Sequence, residues 1–454
     1  MPTIVPQYLD RKIFRIVSEV ARERDVRAFV IGGYVRDCFL GRPSSDIDIV
    51  VEGSGIDFAR AVGERTGSYV SYFKNFGTAM LHYKGDEIEF VGARKESYRR
   101  ESRKPIVEDG TLRDDQERRD FTINAMAFSL QEDSFGELVD PFGGQADLRA
   151  GLIRCVGAPE RRFSEDALRI LRALRFASRL GFRLDPVTAA AAREEKGLLD
   201  RISRERCFSE LKGILTGRDA GRVLLEYGDV IFQVIPELAV QEGFRQYSPY
   251  HVHELWVHTA LAVDAAPAED VLRLTMLLHD GGKPEKFFRD EAGVGHFYGH
   301  AEAGAALADD ILRRLRCDND TRKTVTRLIS LHDMAPPQTL KGTRRLLVRL
   351  GEEDLRRLIA CWYADAADRA SDVREKNAAL FAVTESHLAE LLREESCFSL
   401  RDLAVNGRDL ITLGFEPGPA LGQALRELFR LVTEEDLPNE RETLLAAAEK
   451  IRGE

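Results

Sequence analysis

The sequence predicts an α+β protein with a small mixed α/β head followed by an all-helical remainder. Short apolar strand patterns alternate with helical patterns up to about residue 157, whereas from 163 onward the apolar residues follow a helical period. A chain of 454 residues is long for one hydrophobic core and predicts several domains. We expect a head at 1–157, a helical neck at 158–225, a helical body at 226–370 and a helical tail at 371–454.

The predicted head contains alternating helices and strands. They are expected at 8–24 (helix), 26–31 (strand), 57–66 (helix), 69–73 (strand), 78–83 (strand) and 87–92 (strand). Residues 97–117 have mixed charges and favour neither strand nor helix, which predicts a long loop. Long unstructured connections in compact domains usually have a function. In the neck, Gly181 and Pro186 mark the end of the first helix.

Composition describes an ordinary soluble protein, with 44% hydrophobic and 31% charged residues. No run of about 18 apolar residues predicts a membrane span, and the N-terminus lacks a signal-peptide pattern. Six cysteines without a CxxC pair favour reduced, structural thiols over disulfides or zinc. We therefore expect a cytoplasmic protein without a membrane partner, and the sequence implies no protein partner.

The net charge of −10 argues against general affinity for nucleic acid, but the charge is uneven. Residues 149–183 contain nine arginines and three acidic residues, a net charge of +6. Such a basic stripe within an acidic chain is typical of a specific phosphate-binding track. Solvated helix faces are the alternative for any single arginine.

Two aspartates dominate the segment 28–53, AFVIGGYVRDCFLGRPSSDIDIVVEG. Asp46 and Asp48 are two residues apart on a predicted strand, so their side chains share one face. Paired carboxylates suit Mg²⁺, which is usually held by one or two carboxylates and substrate phosphates. A lone DxD pattern would favour a solvated strand edge, but the preceding glycine turn favours the functional interpretation.

That glycine turn, Gly32-Gly33, comes directly before a short predicted helix. Backbone amides at such a turn and at a helix N-terminus suit a triphosphate. Arg36, one turn into the helix, can add a charged fork to the same phosphates. This supersecondary unit therefore predicts a nucleotide-binding site.

The head resembles the class II tRNA nucleotidyltransferase and bacterial poly(A) polymerase family. The resemblance rests on GGYVRD followed by DID, and on four further motifs, RRDFTINA (118–125), DPFGG with a following Asp-Leu (140–148), EDALR (165–169) and LRALRF (171–176). It implies a polymerase β-like nucleotidyltransferase head and addition of C, C and A to the 3′ end of tRNA from CTP and ATP. It also implies that 97–117 corresponds to the flexible loop that helps the site to admit adenine after cytosine.

This reaction brings an RNA 3′-hydroxyl in line with the α-phosphate of a nucleoside triphosphate, and two Mg²⁺ ions bound by Asp46 and Asp48 would assist it. Glu89 alternates with apolar neighbours and is a candidate third carboxylate, with a solvent-facing glutamate as the alternative. Arg119 is expected to contact the nucleotide. Asp120 would orient the nucleotide or its ribose, although a buried ion pair would look the same in sequence.

A second group of charged residues predicts nucleotide selection. Glu165, Asp166 and Arg169 lie in the nucleotide-reading motif, with Asp166 and Arg169 three apart on a predicted helix and so on one face. A carboxylate only accepts and a guanidinium only donates hydrogen bonds. This pair matches the donor and acceptor edges of cytosine and adenine and mismatches uracil and guanine. An ordinary ion pair on an exposed helix is the alternative.

More arginines follow along the neck. Arg172 and Arg175 could reach the triphosphate or the primer backbone. Arg201, Arg204 and Arg206 would extend this track, with a solvated surface as an equal alternative.

The body has an unusual concentration of histidines, because seven of the nine fall within 251–332. Imidazole and carboxylate ligands suit a transition metal such as Mn, Ni, Co or Zn. The region 251–370 resembles HD-type phosphohydrolases, and the resemblance implies two ligand sets and a phosphate contact from Lys283. The first set is His258, His279, Asp280 and Asp365, and His300 and His332 would bind a second ion. Gly281 stands where HD-type proteins usually have an apolar residue. For any single histidine, the alternative is a core histidine that is hydrogen-bonded to the backbone.

Several functions therefore remain open. The main prediction is addition of C, C and A to tRNA. The alternatives are a poly(A) polymerase, an enzyme that adds only CC or only A, and an HD metal phosphohydrolase with a vestigial head. The acidic C-terminus argues against the first of these, because poly(A) polymerases of this family usually end in a basic extension.

Overall fold

The computed structural model describes residues 6–42, 44–73, 77–97, 106–248, 252–393, 400–434 and 436–453. The chain forms two compact units. The first comprises Met1–Asp219 with Tyr227–Val234, and the second comprises Ala220–Glu226 with Ile235–Glu454. The first unit thus contains the predicted head and most of the predicted neck. The division of the chain into four domains stays a prediction.

The head is a seven-stranded mixed sheet with helices. In chain order its elements are α1 (Pro6–Leu9), α2 (Lys12–Arg24), β1 (Ala28–Ile31), α3 (Gly33–Phe39), β2 (Asp46–Val51), α4 (Gly55–Thr66), β3 (Val70–Phe73), β4 (Thr78–Tyr83), β5 (Asp86–Gly92), β6 (Arg94–Ser97), β7 (Ile106–Asp109), α5 (Leu112–Glu117), β8 (Ala127–Ser129), β9 (Leu138–Val139), α6 (Gly144–Ala150) and β10 (Leu152–Ile153). The strand order is β3-β4-β5-β2-β1-β8-β9, and β6 pairs with β7 separately.

Strand β2 lies at the centre of this sheet and positions the two aspartates. It pairs antiparallel with β1 and parallel with β5. Ile47 and Ile49 are fully buried, because their β-branched side chains suit the inner face of a pleated sheet. The alternation of side chains then directs Asp46 and Asp48 to the opposite face.

The neck begins with α7 (Pro159–Glu165), α8 (Leu168–Leu180), β11 (Arg183–Leu184), α9 (Pro186–Glu194) and α10 (Arg204–Leu215), which are followed by α11 (Ala220–Glu226) and α12 (Gly228–Val234). Helix α8 buries an apolar face that includes Leu171 and Leu174. It ends at Gly181, which adopts a left-handed conformation with φ 72°. The predicted break at Gly181 is therefore confirmed.

Within its described residues, the second unit is helical apart from one hairpin. Its elements after α11 are α13 (Leu255–Ala265), α14 (Asp270–Leu278), α15 (Lys283–Lys286), β12 (Phe288–Arg289), β13 (Gly295–His296), α16 (His300–Arg314), α17 (Asn319–Leu331), α18 (Leu340–Leu350), α19 (Glu352–Ala366), α20 (Ser371–Arg393), α21 (Gly407–Thr412), α22 (Pro419–Thr433) and α23 (Arg441–Gly453). Helices α17–α20 share one apolar core, and α21–α23 share another. The β12–β13 hairpin was not predicted.

The predicted loop at 97–117 is wrong over much of its length. Residues 106–109 form β7, which pairs with β6, and 112–117 form helix α5. A capping box between Thr111 and Asp114 starts that helix. Residues 98–105 lie outside the described residues, as do His251 and Cys397.

The predicted helix at 8–24 is divided into α1 and α2, with a break at Asp10 and Arg11. The five cysteines within the described ranges are free thiols, and four of them are buried. Across those same ranges, no helix is both long enough and apolar enough to span a membrane.

Candidate active site and candidate metal centre

The carboxylates of the head lie on two adjacent strands. Asp48 on β2 is in register with Glu89 on β5, and Ile31 of β1 is its partner on the other side. Ile88 and Phe90 are fully buried on either side of Glu89, which confirms the predicted alternation. Glu89 thus lies beside Asp48 on the same face of the sheet.

The electrostatics of this face favour a cation. Burial raises the pKa of Asp48 to about 6, and the charges of Asp46 and Glu89 add to the shift against the opposing charge of Arg119. A bound divalent cation would offset the repulsion between these carboxylates and favour the ionised form of Asp48. Among the described residues, however, the three carboxylates do not form a set within 4.8 Å of one another. The carboxylate chemistry of Asp46 and Asp48 fits a hard cation such as Mg²⁺.

Gly32 makes a close approach between the turn and this site possible. Its φ of +81° suits glycine, and a Cβ there would lie 2.8 Å from Arg119 Nη1 and 3.4 Å from Asp48 Oδ2. Gly33 is the first residue of α3. The turn, Arg119 and Asp48 are therefore immediate neighbours.

The two arginines of the site are held by partners that the sequence analysis missed. Arg119 donates from Nε to Asp115 Oδ2 at 3.2 Å and from Nη1 to the Asn124 carbonyl at 3.2 Å. Arg36 donates to Asn124 Oδ1 at 2.8 Å and to Asp37. Asp115 is completely buried. Asn124 lies within the RRDFTINA motif, which was the available signal for it. Both guanidinium groups are thus fixed close to the glycine turn.

Asp120 forms a buried ion pair with Arg172 of helix α8. Arg172 Nε donates to Asp120 Oδ2 at 2.8 Å, and Arg172 Nη2 lies 2.6 Å from the same oxygen. The backbone amide of Phe121 donates to Asp120 Oδ1. Although burial alone would raise the pKa of Asp120, Arg172 holds it below its usual range. The structure thus corresponds to the ion-pair alternative for Asp120, and Arg172 is engaged with the head.

The prediction that Asp166 and Arg169 share one helix is wrong. Glu165 is the last residue of α7, Asp166 is extended with φ −147° and ψ 103°, and α8 starts at Leu168. Asp166 Oδ1 accepts a hydrogen bond from the Leu168 amide. This cap competes with a continuous helix, because a short carboxylate can bond the backbone two residues ahead.

The two side chains have separate partners in this structure. Arg169 donates to Glu165 at 2.9 Å and to the Arg118 carbonyl at 2.9 Å. Asp166 Oδ2 accepts from Arg206 at 2.9 Å, in a pair that is partly exposed on both sides. A base that bonded Asp166 would therefore compete with Arg206.

Arg175 and Arg204 also have acidic partners. Arg175 donates to Glu210 at 2.6 Å and lies over the ring of Phe176. Arg204 lies 3.7 Å from Asp200, and Arg201 takes part in interactions as well.

In the helical unit, the structure brings the first predicted ligand set together. His258 Nε2 lies 3.2 Å from Asp280 Oδ2 and 3.2 Å from Asp365 Oδ1. His279 Nε2 lies 3.2 Å from Asp280 Oδ2 and 3.2 Å from His258 Nε2. One donor atom from each of these four residues lies within 4.8 Å of the others.

The second set shares Asp280. His300 Nε2 lies 3.2 Å from His332 Nε2, and these atoms lie 3.5 Å and 3.6 Å from Asp280 Oδ1. The two oxygens of Asp280 thus face different histidine pairs. Both oxygens are buried without a hydrogen bond of regular geometry, although Lys283 Nζ lies 2.7 Å from Oδ2.

Helix ends orient three of these imidazoles. The Nδ1 atoms of His279, His300 and His332 donate to the carbonyls of Met276, Phe297 and Ile329. A carbonyl can only accept, so Nδ1 carries the proton and Nε2 is left as the ligand atom in a neutral ring. This arrangement is typical of metal-binding histidines.

Asp368 supports the fourth imidazole and was not predicted. Its Oδ2 lies 3.4 Å from His258 Nδ1, and its Oδ1 lies 3.3 Å from His253 Nε2. Its position three residues after the predicted ligand Asp365 was the available signal, although Asp368 lies just beyond the end of helix α19.

The charges of the cluster also fit a cation. Burial lowers the pKa of His258, but Asp280 and Asp365 outweigh it and raise it to about 10. Burial raises the pKa of Asp280, yet His279 and Lys283 hold it well below its usual range. Lys283 and Arg369 each pair with one of these carboxylates. The facing imidazole nitrogens and carboxylate oxygens still form a donor set that fits a metal ion.

Three family descriptions match parts of the chain. Residues 28–154 match the poly A polymerase head domain, 181–241 match the probable RNA and SrmB-binding site of polymerase A, and 297–448 match tRNA nucleotidyltransferase domain 2. Together they span both units.

Whole-length relatives decide the family. The chain is 31% identical to the CCA-adding enzyme of Lacticaseibacillus paracasei over 93% of its own length and 92% of that relative. It belongs to the CCA-adding enzyme family. This member of the family is thus a nucleotidyltransferase. It also matches the A-adding tRNA nucleotidyltransferase of Aquifex aeolicus, with 44% identity over 189 residues that cover 23% of that relative.

Solved structures agree with this assignment. The CCA-adding enzyme of Bacillus stearothermophilus in complex with CTP covers 98% of both chains, with a TM-score of 0.66 and 24% identity, and supports the fold. A tRNA nucleotidyltransferase solved with a primer tRNA and an incoming ATP analog is 27% identical, with a TM-score of 0.56, and covers 82% of this chain and 98% of its own.

The Asp120–Arg172 pair leads to a stability prediction. We expect Asp120→Asn to lower the free energy of unfolding at pH 7 by about 2 kcal/mol, because it removes the charged acceptor of the hydrogen bonds from Arg172, whose side chain is one-third exposed. The native pKa of Asp120 is depressed, so its contribution is present above the unfolded-state value of about 4 and is lost as pH falls below it. Chemical denaturation at several pH values should therefore show that the difference in unfolding free energy between the unmodified protein and Asp120→Asn becomes smaller in acid.

Asp10→Asn is the matched control, because its pair with Arg15 is exposed on both sides. Equal losses in the two variants, or a gap that does not depend on pH, would contradict the buried-pair interpretation.

Proposed function

We propose that this chain adds C, C and A in turn to the 3′ end of tRNA, using CTP and ATP and releasing pyrophosphate. The observation that carries the proposal is the meeting of Asp48, Glu89, Arg119 and the Gly32 turn at one end of the central strands. The similarity to CCA-adding enzymes over more than nine-tenths of both chains supports it.

In this proposal Asp46 and Asp48 hold Mg²⁺, with Glu89 as a further carboxylate. Bound Mg²⁺ would supply Lewis acidity to the attacking 3′-hydroxyl and to the leaving pyrophosphate. Arg119 and Arg36 provide fixed donors to the triphosphate, and fixed donors lower the cost of binding because they need not reorganise. The RNA 3′-oxygen forms a bond to the α-phosphorus of the nucleoside triphosphate. The bond between that phosphorus and the oxygen that bridges it to the β-phosphorus breaks, and pyrophosphate leaves.

Selection of C and A is assigned to Asp166 and Arg169. Arg169 is oriented by Glu165 and the Arg118 carbonyl, so its remaining donors have a defined direction. Asp166 offers an acceptor at the start of α8. Sites that depend on hydrogen bonds reject mismatched groups by up to about 10⁴-fold.

The test uses purified protein, Mg²⁺ and one labelled triphosphate at a time. The substrates are tRNAs that end at the discriminator base, at C or at CC, with a poly(A) primer as a further arm. Ordered incorporation of two C residues and then one A supports the proposal. Addition of A alone would favour the A-adding alternative, which the 44% identity of a 189-residue segment to an A-adding enzyme brings forward. Addition of CC alone would favour a CC-adding enzyme, and addition of long A tails would favour a poly(A) polymerase.

A second activity, metal-dependent phosphoester hydrolysis, is proposed for the helical unit. The observation that favours it is the pair of ligand sets joined by Asp280. A bound transition metal would supply an activated water for attack on a phosphoester. Lys283 is buried beside Asp280 and can contact the phosphate.

We expect Asp46→Ala and Asp48→Ala to abolish nucleotide incorporation while leaving tRNA affinity close to that of the unmodified protein. The carboxylates hold metal in this proposal and not RNA. Incorporation assays and a tRNA-binding titration give the two readouts. Glu87→Ala is the control, because Glu87 is an exposed residue of the adjacent strand in register with Asp46. Normal turnover in either aspartate variant would exclude the two-metal assignment.

Asp166→Ala and Arg169→Ala should relax base choice so that U or G enters. In the unmodified protein, U or G would leave hydrogen-bonding groups of Asp166 or Arg169 unpaired. Truncation of either side chain removes this penalty against the wrong base. Competition between triphosphates in a single-turnover assay measures the selectivity. The control is Arg179→Ala, an exposed arginine on the same helix α8. A lower rate with unchanged selection of C and A would disprove the template role.

His279→Ala and Asp280→Ala should remove bound transition metal and hydrolysis of phosphate mono- or diesters such as 2′,3′-cyclic phosphates. Nucleotide addition should persist, because the head has its own carboxylates. Elemental analysis of chelator-free protein and a phosphate-release assay with Mn, Ni, Co or Zn are the measurements. His387→Ala, in the same unit, is the control. An unmodified protein that binds no transition metal and hydrolyses nothing would reduce this cluster to a structural role.

A further inference from the structure

The β12–β13 hairpin exposes a set of stacked aromatic rings. Phe288 stacks on His296 with a centroid distance of 5.2 Å, and His296 stacks on Tyr298 at 5.5 Å with planes 19° apart. Tyr298 is 74% exposed and Phe288 is 47% exposed. We refer to Phe288, His296 and Tyr298 as the aromatic stack. It leaves a flat ring face of Tyr298 open to solvent.

The aromatic stack lies at the edge of the histidine–aspartate cluster. His296 and Tyr298 line a cavity of about 280 Å³ together with members of that cluster, which are Asp280, His300, His332 and Asp365. Lys283 and Arg369 belong to the same lining, where they pair with Asp280 and Asp365. One cavity therefore combines groups that suit a phosphate with groups that suit a flat ring.

The stack is held in place before any ligand binds. Phe288 and His296 are paired in the β12–β13 register. His296 Nε2 lies 2.8 Å from Asp290 Oδ2, which fixes the plane of the His296 ring. Phe288 and Tyr298 also contact each other, with ring centroids 5.8 Å apart. A ring surface that is ordered in advance loses little entropy when it binds a partner.

We infer that the aromatic stack is a base-binding subsite and that the ligand of this cavity is a nucleoside phosphate. Its phosphate would face the histidine–aspartate cluster, and its base would lie on Tyr298. Bases stack on exposed aromatic side chains with little dependence on their identity. The phosphate half of this inference depends on the proposed hydrolytic site, whereas the base half depends on the stack alone.

The test compares two probes that differ only in the base, adenosine 5′-monophosphate and ribose 5-phosphate. Calorimetric titration of the full chain, with and without Mn²⁺, gives both dissociation constants. An Asp48→Ala background weakens nucleotide binding to the head. We expect the adenosine probe to bind about 10-fold more tightly, which is the range of one base–aromatic stack.

Variants of Tyr298 locate this preference. Tyr298→Ala should remove the 10-fold difference, Tyr298→Phe should retain it, and ribose 5-phosphate should bind all three proteins equally. Leu380→Ala, an exposed apolar residue of α20, is the surface control. Equal binding of the two probes, no binding of either, or a preference that survives Tyr298→Ala would overturn the inference. A base preference without any effect of Mn²⁺ would retain the subsite and count against the hydrolytic proposal.

The nucleoside phosphate could be a free nucleotide or the end of an RNA chain. A single-stranded CCA trinucleotide with a 3′-phosphate distinguishes them. Tighter binding than the mononucleotide, with a further loss in Phe288→Ala, assigns the site to an RNA end, because a second base would contact the exposed ring of Phe288 beside Tyr298. Equal binding, with no effect of Phe288→Ala, assigns it to free nucleotides.

Discussion

The buried contact between Asp120 and Arg172 joins the sheet of the head to helix α8, and the nucleotide site depends on it. A carboxylate removed from water must be paired, and its partner here comes from a helix more than fifty residues later in the chain. The same segment contains Asp115, which orients Arg119 beside Gly32 and Asp48. The position of α8 and the orientation of Arg119 are thus set by two nearby residues, Asp120 in the RRDFTINA motif and Asp115 in α5 just before it.

Local periodicity was enough to predict the central strand. Ile47 and Ile49 alternate with Asp46 and Asp48, and this alternation fixes the faces without any knowledge of the partner strands. The pairing of Glu89 with Asp48 is a tertiary fact, since it depends on which strand lies next to β2. The sequence could therefore nominate Glu89 but could not place it.

Two errors have physical causes that are visible in the residues. Strand β7 is stabilised by pairing with β6, and pairing of that kind has no local signature in a mixed-charge segment. Asp166 ends a helix because its side chain bonds the Leu168 amide, a choice that competes closely with helix continuation. The start of α5 had a readable signal, since Thr111 and Asp114 have the spacing of a capping box.

The shared carboxylate of Asp280 has a consequence for the persistence of the helical unit. Its two oxygens are buried between two pairs of imidazoles, so the fold places charge where water cannot reach it. A ligand that binds only the folded state adds stability in proportion to the logarithm of its free concentration. If the cluster binds metal, the lifetime of the helical unit depends on the metal supply. The first effect of a metal shortage would then be unfolding and degradation of this unit.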